Sequence, residues 1–323
     1  MRIALVGLGG MGTVHYMNYQ HIPDATVSAA VGTTEADRAR VAEWGIPLYP
    51  TLTALCTEQT VDLVDICVPT WLHRPLAEES LSLGNHTLVE KPAALTLHDA
   101  RAMYTAADRV GKQLYVGQVL QFTPEVAALC SVVRDGRYGK ALDAHFERLS
   151  AAPRWTQGSW LFDVHKSGLI PFDLHIHDLD VIVSLFGKPA TISCTTAGAA
   201  DKPYREQYRF LYGYHGLTVC AEAAWFNAAI PFTARWRVYF ERGMLVNDAD
   251  GLRGYGADGE VTVFDTEEPE KIPTGINVPP TGMFLAELKH YVACAAENCP
   301  SDRVTREQVL AVLEVLEQVT GKA

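Results

Sequence analysis

At 323 residues, with 48% hydrophobic and 20% charged residues, the chain is long for one hydrophobic core and comfortable for two globular domains. Its 27 Lys and Arg against 38 Asp and Glu leave a formal charge of −11, which argues against nucleic acid or an acidic membrane surface as partner but not against a phosphate held at a helix N-terminus. Seven cysteines without a CxxC pair argue against a disulfide framework, and no signal segment or bilayer-length apolar run is visible, so a cytoplasmic setting is expected.

The chain starts with an apolar strand at 3–6. Gly7-Leu8-Gly9-Gly10-Met11-Gly12 follows it and leads into a helix at 12–20. Between a strand and a helix such a turn is a dinucleotide fingerprint. Gly7 permits the tight turn, Gly9 clears space for a pyrophosphate, and Gly12 lets the helix pack against the sheet. Gly10 and Met11 belong to the same cofactor-binding turn. A second strand at 27–31 ends in Gly32-Thr33-Thr34, where an NAD site ordinarily carries Asp or Glu for the ribose hydroxyls. With no acid before Glu35, Thr33, Thr34 and Arg38 become candidate donors to a 2′-phosphate. The expected cofactor is therefore NAD or NADP, with the electrostatics tilted toward NADP. Arg38 reads equally as a solvated helix residue.

A helix at 36–44 precedes a strand at 61–68 that stops at Pro69. Pro69-Thr70-Trp71-Leu72-His73 then stands at the carboxyl edge of the sheet. Pro69, Thr70 and His73 are candidates to line the nicotinamide half of a crevice, although His73 also reads as a plain helix-start residue. A helix at 72–83 ends at Gly84, and the apolar run from His86 leads to Glu90-Lys91-Pro92. A lysine at the carboxyl end of such a strand faces the place where cofactor and substrate meet. Its ammonium can hold a substrate oxygen or handle its proton. Helix 97–110 and strand 114–116 follow, with Gln118 and Gln121 as lesser ligand candidates. Strands alternating with helices at this spacing predict βαβ units and a doubly wound parallel sheet over residues 1–121.

From residue 122 the rhythm changes. A helix at 124–134 and a strand at 141–149 lead to a long irregular loop carrying Trp155 and Trp160, indoles that either stack on a sugar ring or cover an interface. Strand pairs 205–212 with 217–225 and 233–241 with 244–246, then 261–264, read as hairpins. Helices at 283–297 and 305–319 close the chain. Residues 122–323 are thus expected to form an α+β domain on a large, mostly antiparallel sheet. Within it, a helix starting near Asp173 places Asp173, His177 and Asp180 on one face, with His175 pointing away. A carboxylate beside an imidazole orients it and raises its basicity, as general acid–base work requires. The plain alternative is a helix start with a buried, hydrogen-bonded histidine. The separation of the two histidines speaks against a ligand set, and no metal is expected.

Together these motifs resemble the Gfo/Idh/MocA family, named for glucose–fructose oxidoreductase and inositol dehydrogenase. The resemblance runs in order through Gly7–Gly12, Pro69–His73, Glu90-Lys91-Pro92, the stretch Val116-Gly117-Gln118 to Phe122-Thr123-Pro124, and Gly168–Asp180. It implies a Rossmann domain followed by a sheet-rich substrate domain. It also implies hydride transfer between a nicotinamide cofactor and a secondary alcohol of a sugar, inositol or related polyol. Lys91 would touch the reacting hydroxyl, and Asp173 and His177 would form the acid–base pair. Association through the open face of the second sheet would give a homodimer or homotetramer. Gly32, Gln121 and Leu169 depart from what many members carry, and Leu169 with Pro171 narrows the expected mouth of the site. A dinucleotide-binding sensor and an NAD-assisted glycoside-cleaving enzyme are alternatives on the same fold. A sensor would need no acid–base set.

Overall fold

The computed structural model describes residues 1–154, 157–275 and 279–321. Packing divides the chain into two units. The first joins Met1–Phe122 with Glu268–Val309, and the second joins Thr123–Glu267 with the chain from Leu310 onward.

In the first unit the elements run β1 (Arg2–Val6), α1 (Gly10–Tyr19), β2 (Thr26–Val31), α2 (Glu35–Trp44), β3 (Leu48–Tyr49), α3 (Leu52–Glu58), β4 (Leu63–Ile66), α4 (His73–Ser82), β5 (His86–Glu90), α5 (Leu97–Val110) and β6 (Leu114–Gly117). The strand order is β3-β2-β1-β4-β5-β6, parallel throughout, the doubly wound arrangement expected for the N-terminal third. Every residue of β4, β5 and β6 is buried, as strands covered by helices on both faces must be. Thr34, Thr51 and Thr96 cap the helices that follow them, and left-handed Gly45 and Gly111 stop α2 and α5.

The second unit contains α6 (Pro124–Asp135), β7 (Ala141–Ala151), α7 (Val164–Ser167), a π-helical turn at Pro171–His175, α8 (Ile176–Phe186), β8 (Thr191–Ala197), β9 (Gln207–Tyr214), β10 (Leu217–Phe226), β11 (Thr233–Phe240), β12 (Gly243–Asp248), β13 (Gly251–Gly256) and β14 (Val261–Val263). Its eight strands lie in the order β14-β13-β12-β11-β7-β10-β9-β8. The β7–β10 pair is parallel and the others are antiparallel. Ala144, Phe146 and Arg148 point to the covered face. The opposite face carries cross-strand ion pairs Arg235–Glu147, Arg237–Asp143 and Arg209–Glu222. Leu211 and Tyr239 stand exposed among them, at 47% and 46%.

Two helices close the chain, α9 (Met283–Glu297) and α10 (Arg306–Thr320). A boundary at 121/122 would assign α9 to the second domain, yet its contacts are with the first unit. Phe284 joins Val14 and Val119 in one buried cluster, and the Tyr291 hydroxyl donates to the Val116 carbonyl at 2.6 Å. Among the described residues no helix is long and apolar enough to cross a membrane.

Candidate active site

The glycine turn is built as its sequence requires. Gly7 sits at φ +88°, and a Cβ there would meet Val68 and Cys67 within 2.9 Å. A Cβ on Gly12 would lie 2.0 Å from the Gly7 carbonyl oxygen, so α1 approaches the strand only because residue 12 has no side chain. At Gly9 the opposite holds: an added Cβ would meet nothing within 4 Å. Gly9 is also the N-cap of α1, with no side-chain cap and no acid in the first turn. Open space over uncapped amides at the positive end of a helix fits a pyrophosphate.

The carboxyl edge of the same sheet collects most of the other candidates. After β4, a tight 3₁₀ turn over Thr70–Leu72 enters α4 at His73. His73 is fully buried, with Nδ1 2.9 Å from the Pro92 carbonyl and Nε2 2.8 Å from the Val68 carbonyl. Burial lowers its pKa against the pull of those carbonyls. The ring ties the end of β4 to the chain just after β5, next to Lys91. Lys91 itself follows β5 and is half-buried, and the Lys91–Pro92 bond is cis. In the sheet register Glu90 pairs with Gly117, so Lys91 and Gln118 leave adjacent strands side by side. Gln118 is 2% exposed, and its Oε1 is buried with no protein partner among the described residues. A buried, unsatisfied amide oxygen at this edge is the kind of group a ligand completes.

Beneath Lys91 lies a network that sequence reading missed. The Glu90 carboxylate turns inward: Oε1 is 3.0 Å from His15 Nε2, and Oε2 accepts the Lys91 backbone N–H at 3.1 Å. His15, fully buried on α1, sets its Nδ1 2.7 Å from Asp65 Oδ2, which also accepts from the Tyr19 hydroxyl at 3.0 Å. Burial works against charge on His15, but Asp65, with Cys67, outweighs it and holds the imidazole pKa well above 6.5. Burial likewise opposes the Glu90 charge, and the hydrogen bond and charge of His15, with Lys91, hold that carboxyl below its ordinary range. The arrangement is a histidine ring set between two carboxylates, and both shifts favour the charged forms. Donor atoms of His15, Asp65 and Cys67 lie within 4.8 Å of one another, but they bond to each other, and burial first and Asp65 second push the Cys67 thiol up. Only the spacing of His15 three residues beyond Gly12 could have hinted at this network.

In the second unit Asp173 falls inside the π-helical turn and His177 in the first turn of α8. Within residues 171–180 these two alone are half-buried, and all their neighbours are buried. The predicted shared face is therefore the accessible one, except that Asp180 is buried at 1%. Single π turns recur at functional sites, where they re-aim side chains. His175 points away as expected: its Nε2 lies 2.7 Å from the Tyr212 hydroxyl and its ring stacks on Phe210 at 3.9 Å. Burial, with Arg148 nearby, pushes its pKa down to about 3, so it stays a neutral core residue. Leu169 holds a left-handed φ of +62° while buried, a strain of order 1–2 kcal/mol for a residue with a side chain. Ser167 Oγ braces it by accepting its N–H at 2.9 Å.

Asp178, next to His177, makes a two-point pair with Arg148 of β7 at 2.8 and 3.0 Å, both groups nearly buried. Asp178→Ala strands that guanidinium. It is expected to cost about 3–5 kcal/mol in denaturant unfolding; a loss under about 1 kcal/mol would contradict a desolvated pair.

The remaining candidates divide. Thr33 and Thr34 start the turn into α2, and Arg38 is exposed and paired with Glu35 at 2.9 Å. Pro69 and Thr70 lie at the carboxyl edge. Trp160 is half-buried in the loop after β7, and Trp155 lies outside the described residues.

Comparison with known proteins bears on the family and the fold. A model described as the oxidoreductase family with an NAD-binding Rossmann fold matches residues 1–118, and the GFO/IDH/MocA C-terminal domain model matches residues 126–246. The chain is 31% identical over 197 residues to D-apiose dehydrogenase of Paraburkholderia graminis, covering 60% of this chain and 52% of that one. It is 29% identical over 211 residues to UDP-N-acetylglucosamine 3-dehydrogenase of Acidithiobacillus ferrooxidans, covering 62% and 60%. The matched stretches thus span little more than half the length of these relatives. In fold it is similar to an Agrobacterium radiobacter oxidoreductase solved with NAD+, L-tartaric acid and magnesium, with a TM-score of 0.87 over 100% of this chain and 96% of that one, at 20% identity.

Proposed function

The chain belongs to the Gfo/Idh/MocA family of oxidoreductases, and from that premise we propose that it is a nicotinamide-dependent dehydrogenase of a secondary alcohol on a sugar, inositol or related polyol. The observation that carries this reading is Lys91 at the carboxyl end of β5, beside a buried Gln118 whose side-chain oxygen has no protein partner among the described residues. The sugar-acting names of its relatives support the substrate class.

Gly7, Gly9, Gly10, Met11 and Gly12 would hold the pyrophosphate. Pro69, Thr70 and the main chain of Glu90-Lys91 would line the nicotinamide end. A bound nicotinamide supplies the hydride acceptor or donor. The Lys91 ammonium would donate a hydrogen bond to the reacting oxygen and stabilise alkoxide charge as it develops. His177 would take the hydroxyl proton, with Asp173 one helical turn before it to orient the ring. Gln118 and Trp160 would contact the remaining hydroxyls. Self-association through the sheet face that exposes Leu211 and Tyr239 is part of the same proposal.

A panel of sugars, inositols and their keto forms, assayed with NAD and NADP by absorbance of the reduced nicotinamide, tests the reading. Turnover with at least one polyol class is the expected result. Dinucleotide binding without turnover across the panel, or glycoside cleavage without change in nicotinamide absorbance, would overturn it.

A further inference from the structure

The end of β2 carries information about the cofactor that the strand sequence does not. Val31 closes the strand beside the glycine turn, where the Gly7 N–H reaches its carbonyl at 3.4 Å. The next residue, Gly32, has no side chain, yet the space that side chain would enter is filled. An added Cβ at Gly32 would lie 2.7 Å from Asp37 Cγ and 2.7 Å from Asp37 Oδ2. A carboxylate therefore stands at the strand terminus after all, delivered from the first turn of α2.

Asp37 is fixed there. Its Oδ2 accepts the backbone N–H groups of Thr33 at 3.1 Å and Thr34 at 2.9 Å, while its own N–H donates to Thr34 Oγ1 at 3.1 Å. This reciprocal capping box consumes the two loop amides that would otherwise cradle a phosphate. Oδ1 takes none of these bonds. The nearby cations are committed elsewhere: Arg38 pairs with Glu35, and Arg40 bonds the Thr13 hydroxyl and lies over the Trp44 ring at 5.9 Å.

Building on the dinucleotide reading above, we infer that Asp37 selects NAD(H) over NADP(H). Its carboxylate accepts the hydroxyls of the adenosine ribose and repels a 2′-phosphate. The expectation of NADP rested on a missing acid at the end of β2, and Asp37 supplies that acid from five residues further along the chain.

The test is equilibrium binding, followed by fluorescence titration of the purified full chain with NADH and with NADPH at fixed ionic strength. The wild-type protein is expected to bind NADH at least about tenfold more tightly, the scale of one partly screened charge repulsion. Asp37→Asn keeps size and the acceptor oxygen for the cap but removes the charge. It is expected to shrink the preference by about fivefold or more, chiefly by tightening NADPH. Equal or tighter NADPH binding by the wild type overturns the assignment whether or not the variant folds. So does an unchanged preference in a variant that melts like the wild type. Binding of neither dinucleotide overturns the dinucleotide reading itself, which separates the two failures.

Discussion

Lys91→Ala and His177→Ala are each expected to lower kcat/KM by about 10²- to 10⁴-fold, the range associated with a lost acid–base or oxyanion-stabilising group. NADH affinity should stay within about threefold of wild type, because neither change touches the glycine turn or the phosphate end of α1. Structure and function are separable at Lys91. Its backbone N–H is held by Glu90 and β5 is buried along its whole length, so truncating the side chain leaves the strand in place. His177 likewise starts a helix whose inward face is filled by Ile176, Leu179 and Val183. Steady-state kinetics beside a cofactor titration and a thermal melt decide the matter. Near-wild-type turnover in both variants would remove the proposed roles, whereas loss of cofactor binding would point to a folding defect.

The second large effect is on stability. His15→Ala leaves Asp65 and Glu90 buried without the cation between them, and a cost of about 3–5 kcal/mol is expected, as for other broken buried pairs. The pH dependence follows from the shift directions. The His15 pKa is raised, so its stabilisation is fully present below the ordinary value of 6.5 and is lost as pH rises through the folded value. The Glu90 pKa is lowered, so its share is present above the ordinary value of 4.5 and is lost as pH falls through the folded value. The network therefore contributes most between those two ordinary values and weakens toward alkaline pH. Urea unfolding of wild type and variant at about pH 5.5, 7 and 9 should show the wild-type advantage shrinking at the alkaline end. A variant as stable as wild type at the acidic end of that series would disprove the clamp.

Much of the architecture was legible because it rests on local signals. The strand–glycine–helix opening, the regular return of apolar runs and the helix-stopping glycines all survive in a single sequence. What was missed depends on partners far away in the chain. The two residues of β3 form a strand only because Ala30 and Val31 offer a free edge. Leu252 and Gly254 of β13 pair with Asn247 and Leu245 of β12, but three glycines blunt the strand signal there. Strand β7 joins β10 in parallel across a long stretch of chain, a pairing no hairpin turn announces. Lys91, Asp173 and His177, the residues of the proposed chemistry, were readable as chemistry-bearing types in informative places. His15 was not, because its meaning comes from Asp65 and Glu90 on two other strands. The Asp37 carboxylate at the end of β2 was not readable either, because it is delivered there from the first turn of α2 and not from the strand itself. Helix α9 was assigned by sequence proximity, whereas Phe284 and Tyr291 bury themselves against Val14 and Val116.

That last feature bears on how the protein comes into being. The nucleotide-holding unit is finished by residues 268–309, so a ribosome that has made only the first 122 residues has not yet made the helix that covers Val14 and Val119. The N-terminal unit must wait, with apolar surface uncovered, while the intervening unit is synthesised and begins to fold. A fragment ending at Phe122 should accordingly be sticky and poorly folded, and a nascent chain of this protein should lean on chaperones until α9 has been made.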